Sequence, residues 1–269
     1  PALSLGPFLP LERIRERGLS VNEIMKSSNA MTEADLMSFE FGFESTVLPF
    51  DLNVEAEILG AKVQYHEGYD GHPVYPTITH KPFTTDDDID IPNTLAEKGR
   101  MPAILKTIGS LKEQAGNKGS VGVFIPGPFV VAGQVIDLDE LYPMLLKEPD
   151  KTLRIFERLT EFICKLIDVY VRAGVDYMIV VEEGGSNISP NIFRKQLLPC
   201  IREILGARQI PGLVRLFGHS EQIVEFMLEC DPDGVILDKE CSIENTRGRL
   251  PKGMPLFGEC GAYDMMANG

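Results

Sequence analysis

Side chains able to do acid–base or ligand chemistry recur just after short apolar runs in this chain. Asp51, Asn53, Glu55 and Glu57 follow 45–49. Glu182 and Glu183 follow 175–181, Asp238 and Glu240 follow 234–237, and Glu259 and Cys260 follow 255–257. Arg215, Phe217 and His219 close the run 212–217, and Gly127-Pro128-Phe129 closes 120–125. A carboxylate facing a pocket accepts hydrogen bonds and stabilises developing positive charge. An arginine anchors an anion, and a histidine carries a proton near neutral pH. Asp51 also has an ordinary use, as the N-cap of a helix that follows it. Glu55 stands one helical turn beyond Asp51, whereas Glu55 and Glu57 lie two apart and cannot share a helix face.

Other chemistries find little support. His219, Glu221 and Cys260 are a mixed set that could bind zinc, but no HxH, HxC or CxxC spacing occurs, and zinc is not expected. Neither a GxSxG elbow nor a GxGxxG turn is present, which argues against an esterase-type nucleophile and a dinucleotide fold.

The runs that carry these residues alternate with amphipathic stretches, as parallel βαβ units do. Seven strands are expected, at 2–8, 45–49, 120–125, 175–181, 212–217, 234–237 and 255–257. Between them the pattern predicts helices at 21–25, 33–41 (Thr32 as N-cap), 54–60, 102–115, 138–146, 151–173, 191–205 and 221–230. Pro143 should break or kink its helix. The segment 61–100, with His66, His72 and His80 among Gly and Pro, is expected to be an irregular functional loop. With 269 residues and 43% hydrophobic side chains, the chain can bury one sizeable core. Lys and Arg total 26 against 40 Asp and Glu, a net charge of −14 that argues against nucleic-acid partners. No apolar run approaches the ~20 residues of a membrane span. Five scattered cysteines suggest a reducing cytoplasm rather than a disulfide framework.

Several stretches together resemble the uroporphyrinogen-decarboxylase superfamily: LPFDLNVEAEILGAKV at 48–63, Gly127-Pro128-Phe129, AGVDYMIVV at 173–181, ISPNIF at 188–193, Leu198-Pro199 and DGVILD at 233–238. The resemblance implies one α/β domain over 1–269, a (β/α)8 TIM barrel whose last strand–helix unit is missing from this chain. The stretch 54–60 is most similar to the branch of methylcobamide:coenzyme M methyltransferases. That branch implies a methylcobamide donor on a partner corrinoid protein and a small-molecule acceptor. Its zinc-binding His-x-Cys pattern aligns with Arg215-Leu216-Phe217, so the metal is not expected to be retained. This reading gives Asp51, Glu182 and His219 catalytic roles. Asn53, Glu55, Phe129, Arg215, Asp238 and Glu259 would bind substrate. Two alternatives remain open: a decarboxylase in which Asp51 stands where that branch has its catalytic aspartate, and a non-catalytic barrel that binds a corrinoid or a protein.

Overall fold

A computed structural model describes residues 3–6, 8–67, 74–116, 119–182, 188–218 and 221–258. Six strands form one parallel sheet: β1 (Ser45–Leu48), β4 (Ser120–Pro126), β5 (Tyr177–Glu182), β6 (Gly212–Leu216), β7 (Gly234–Leu237) and β8 (Leu256–Phe257), in that spatial order. β2 (Lys62–Gln64) and β3 (Thr77–His80) form a separate antiparallel pair. No helix among the described residues is long and apolar enough to cross a membrane.

The side-chain period of two splits each strand between two apolar clusters. Leu48, Val123, Ile125, Met178, Val180, Val214, Leu216, Val235 and Leu237 join the large core shared with the helices. Val47, Phe124, Tyr177, Ile179, Val181, Leu213 and Ile236 form a smaller cluster on the opposite, inner face. Gly122 admits the Tyr177 ring to that face; a Cβ there would sit 2.3 Å from the ring.

Six of the seven expected strands are present, with no end shifted by more than two residues. The seventh, at 2–8, is not a strand in its described part. Its contacts are to side chains rather than to a strand ladder: the Ser4 carbonyl accepts from Ser45 Oγ at 3.1 Å and Tyr177 Oη at 3.2 Å, and Leu5 packs on the inner cluster. The described sheet is therefore six-stranded, and an eight-stranded barrel does not follow from it.

The helices clothe the outer face: α1 (Leu11–Glu16), α2 (Val21–Lys26), α3 (Ser28–Glu40), α4 (Val54–Ile58), α5 (Met101–Ala115), α6 (Pro128–Val135), α7 (Leu138–Lys147) and α8 (Pro149–Ala173) precede β5. Ser20 and Glu23 close α2 with a reciprocal capping box. α3 begins a turn before the expected cap, so Thr32 lies inside it and bonds back to the Ser28 carbonyl at 2.8 Å. α7 continues through Pro143. Pro149, lacking an N–H, cannot serve the Leu145 carbonyl four residues back. Gln196 Nε2 serves it instead, at 2.9 Å, from the π-helical turn Phe193–Leu197. The stretch 61–100 is less irregular than expected, since β2 and β3 pair within it; their short, largely polar strands give little apolar alternation to detect.

Candidate active site

The C-terminal ends of β1, β5 and β6 border a cavity of about 460 Å³. In parallel barrels the strand ends on this side carry the chemistry. The segment after β1 supplies Phe50, Asp51, Leu52 and Asn53; the sheet supplies Phe124, Val181, Arg215 and Phe217; Tyr75 and Pro76, just ahead of β3, complete the wall. Arg215 shares the inward parity of Leu213. Its guanidinium carbon lies 4.7 Å from the Phe217 ring centroid and 5.7 Å from that of Phe124. Both distances fall within cation–π range.

Asp51 is buried and bound in a fork by Arg100. Arg100 Nη1 donates to Oδ2 at 2.6 Å and Nη2 to Oδ1 at 2.9 Å. Oδ1 also accepts the Asn53 N–H at 2.9 Å. A carboxylate has about four acceptor positions. Both on Oδ1 are taken, while Oδ2, among the described residues, accepts only from Arg100 Nη1. Arg100 reaches further, donating from Nη1 to the Met25 carbonyl at 3.0 Å and from Nε to Glu57 Oε2 at 2.6 Å. Burial works against the Arg100 charge, but the hydrogen bonds and charges of Asp51 and Glu57 more than offset it and raise its pKa. Tyr65 Oη donates to Glu57 Oε1 at 2.8 Å, and Lys26 Nζ lies 4.7 Å over the Tyr65 ring. Asn53 Nδ2 donates to the Pro76 carbonyl at 2.7 Å, tying the β2–β3 arm to the same wall.

The structure thus brings Asp51, Asn53 and Arg215 to one cavity. Four other expected site residues, Glu182, Phe129, Glu55 and Asp238, stand elsewhere. Glu182 has the outward parity of Met178 and Val180; it is fully buried, and its Oε2 accepts from the Phe129 N–H at 3.3 Å in the first turn of α6. A carboxylate there complements the helix dipole. Gly127 gives it room, because a Cβ would come 2.3 Å from that oxygen. Phe129 packs edge-on against Tyr142 and Phe156 in the helix-side core. Glu55, on α4, is fully buried and no partner among the described residues bonds either oxygen. Burial pushes its carboxyl up to about 8. Asp238, half-buried beyond β7, is not part of the cavity wall and accepts the Glu240 N–H at 3.2 Å. His219 and Glu259 lie outside the described residues.

Arg100, Tyr75 and Tyr65 are the site residues that strand-end reasoning misses. A buried carboxylate demands a cation, so a partner for Asp51 could be anticipated. Nothing in the spacing points to a residue 49 positions on, in a connection rather than at a strand end. Among the described residues, no group of three or more His, Cys, Asp or Glu is arranged to hold a metal.

Comparison with known proteins agrees with this architecture. The family model described as Uroporphyrinogen decarboxylase (URO-D) matches residues 1–268. A methylated-thiol–coenzyme M methyltransferase of Methanosarcina mazei is 23% identical over 245 residues, covering 90% of this chain and 65% of the relative. A uroporphyrinogen decarboxylase of Anaeromyxobacter dehalogenans is 23% identical over 255 residues, covering 91% of this chain and 73% of the relative. The chain therefore spans about two thirds to three quarters of the length of these relatives. Among solved structures, a methyltransferase from Methanosarcina mazei superposes with a TM-score of 0.88 at 20% identity, over 95% of this chain and 76% of that one. That likeness establishes a curled parallel α/β sheet of the same fold.

Proposed function

This chain belongs to the uroporphyrinogen decarboxylase family, and we propose that within it the chain is a corrinoid-dependent methyltransferase acting on a small acceptor bound in the cavity. The observation that carries the reading is the state of Asp51: a carboxylate at the cavity wall, neutralised by Arg100, with one acceptor position left on Oδ2. Such a group orients an acceptor by taking a hydrogen bond from its N–H or O–H. Arg100 already holds both of its oxygens, which suits it to positioning a donor. Methyl transfer asks for orientation and exclusion of water more than for acid–base work at the wall. Phe50, Leu52, Phe124 and Phe217 supply apolar cover for that purpose.

A methylcobamide, carried by a separate corrinoid protein, would supply a methyl group that leaves its bonding pair on cobalt. A 460 Å³ cavity suits the acceptor rather than a corrin ring, and Phe50, Leu52, Tyr75 and Phe217 are the lining residues that would shield it from water. Arg215, on the cavity wall, would be the residue to meet an anionic group of the acceptor. Zinc does not fit the positions where the methyltransferase branch carries its His-x-Cys pair. Arg215 is a cation stacked on two rings and Phe217 has no donor atom, so no step is assigned to a metal.

The experiment is to incubate the chain with methylcobalamin and a panel of thiols and pterins while following visible absorption. Acceptor-dependent loss of the methyl–cobalt spectrum supports methyl transfer. The decarboxylase reading draws on the same residue, Asp51 on the cavity wall, which stands where that branch has its catalytic aspartate. A static methylcobalamin spectrum together with turnover of a porphyrinogen would favour it.

A further inference from the structure

α7 is apolar on two faces. Leu141, Met144 and Leu145 are buried against the core, whereas Leu138, Tyr142 and Leu146 are 41%, 36% and 73% exposed. The exposed three stand at i, i+4 and i+8 and so line up along one side of the helix. Single exposed apolar residues are ordinary, but an aligned row is the mark of a contact surface. The row is held in place: Tyr142 stacks edge-on against Phe129, with centroids 6.0 Å apart.

Its surroundings are acidic. Asp137, Asp139 and Glu140 flank one end, and Glu148 and Asp150 the other; Lys147 stands beside Leu146, and Lys81 and Lys151 pair with Asp137 and Glu148, so acids outnumber cations without being alone. The loop carrying Asp86, Asp87 and Asp88 is tied alongside by Thr85 N–H to Glu140 and by Asp86 to Lys151. A separate groove of about 560 Å³ between this loop and α8 is of mixed charge, with Lys151, Arg154 and Arg158 facing Asp86, Asp87 and Asp88.

We propose that this face of α7 docks a separate protein whose own apolar surface is ringed by lysine and arginine. Charge decides the occupant. A second copy meeting this face symmetrically would bring two acidic fringes together, in a chain of net charge −14. A basic-rimmed partner gains from the same fringe. The proposal does not depend on which reaction the cavity supports.

The test combines a cross-link with a titration. Sedimentation velocity of the purified chain comes first and should show a monomer. Photo-cross-linking from position 142, in extract of the cells that produce the chain, then identifies the partner and the partner residues reached. The purified pair is titrated with wild type, Leu146→Lys and Leu146→Glu. Because Leu146 is largely exposed, both variants should keep the wild-type circular dichroism and thermal midpoint. The expected result is a partner contact rich in Lys and Arg, with affinity that falls as salt rises. Leu146→Lys should weaken it at least tenfold, and more than Leu146→Glu. Self-association through α7, cross-links confined to the chain itself, no cross-linked partner, or an affinity equally indifferent to both variants would each overturn the proposal.

Discussion

Arg100 grips both carboxylate oxygens of Asp51, at 2.6 and 2.9 Å, with the two side chains only 7% and 3% exposed. The ion pair binds the connection before α5 to the segment after β1, and so shapes the cavity from behind its wall. Removing one partner leaves the other charge buried. Arg100→Met should therefore lower the unfolding free energy in urea by about 3–5 kcal/mol. Asp51→Asn combined with Arg100→Met should cost less than Arg100→Met alone, because one of the stranded charges goes with it.

Two buried carboxyls set a pH dependence. Burial pushes Glu55 up to about 8; it pushes Asp35 up to about 8 as well, against the opposing hydrogen bond from Thr46 Oγ1 at 2.6 Å. Both values lie above those of the unfolded chain, so the folded state holds the extra protons. Their contribution is fully present below about pH 4 and is lost as pH rises to about 8. Glu55→Gln mimics the protonated acid. It should flatten the fall and leave the variant more stable than wild type at pH 9, by on the order of a few kcal/mol. Thermal midpoints from pH 5 to 9 measure this; parallel curves for the two proteins would contradict it.

Gly122 is required by its neighbour rather than by its backbone. A methyl group there meets the Tyr177 ring at 2.3 Å, and that ring also donates to the Ser4 and Thr46 carbonyls. Gly122→Ala should destabilise by about 1–3 kcal/mol, as overpacking does. Chemical denaturation of the variant tests it, and a cost near zero would mean that the inner cluster yields freely.

Much of the fold was legible in the sequence because parallel strands buried on both faces read as uninterrupted apolar runs, as 175–181 does. The segment 2–8 reads the same way yet forms no strand in its described part, since an apolar run records burial and not pairing. The β2–β3 arm went unseen for the converse reason: it pairs without being buried. For the site, position at a strand end brought Asp51, Asn53 and Arg215 into view. Parity was the finer signal. Glu182 continues the outward series Met178, Val180, and so faces α6 rather than the cavity.

Glu182 should matter for folding more than for the cavity. Glu182→Gln keeps the shape but removes the charge at the start of α6. It should lower stability by about 1 kcal/mol, with ligand affinity in the cavity unchanged. Denaturation and a binding titration on the same sample separate the two effects.

The central claim is that the cavity beside Asp51 supports methyl transfer to a small acceptor. The direct measurement is methylcobalamin demethylation by wild type and by Asp51→Asn, once circular dichroism has shown both to be folded. Acceptor-dependent loss of the methyl–cobalt absorption is expected with wild type, slowed at least tenfold in Asp51→Asn. An unchanged spectrum with every thiol and pterin, or equal rates for the two proteins, would contradict it.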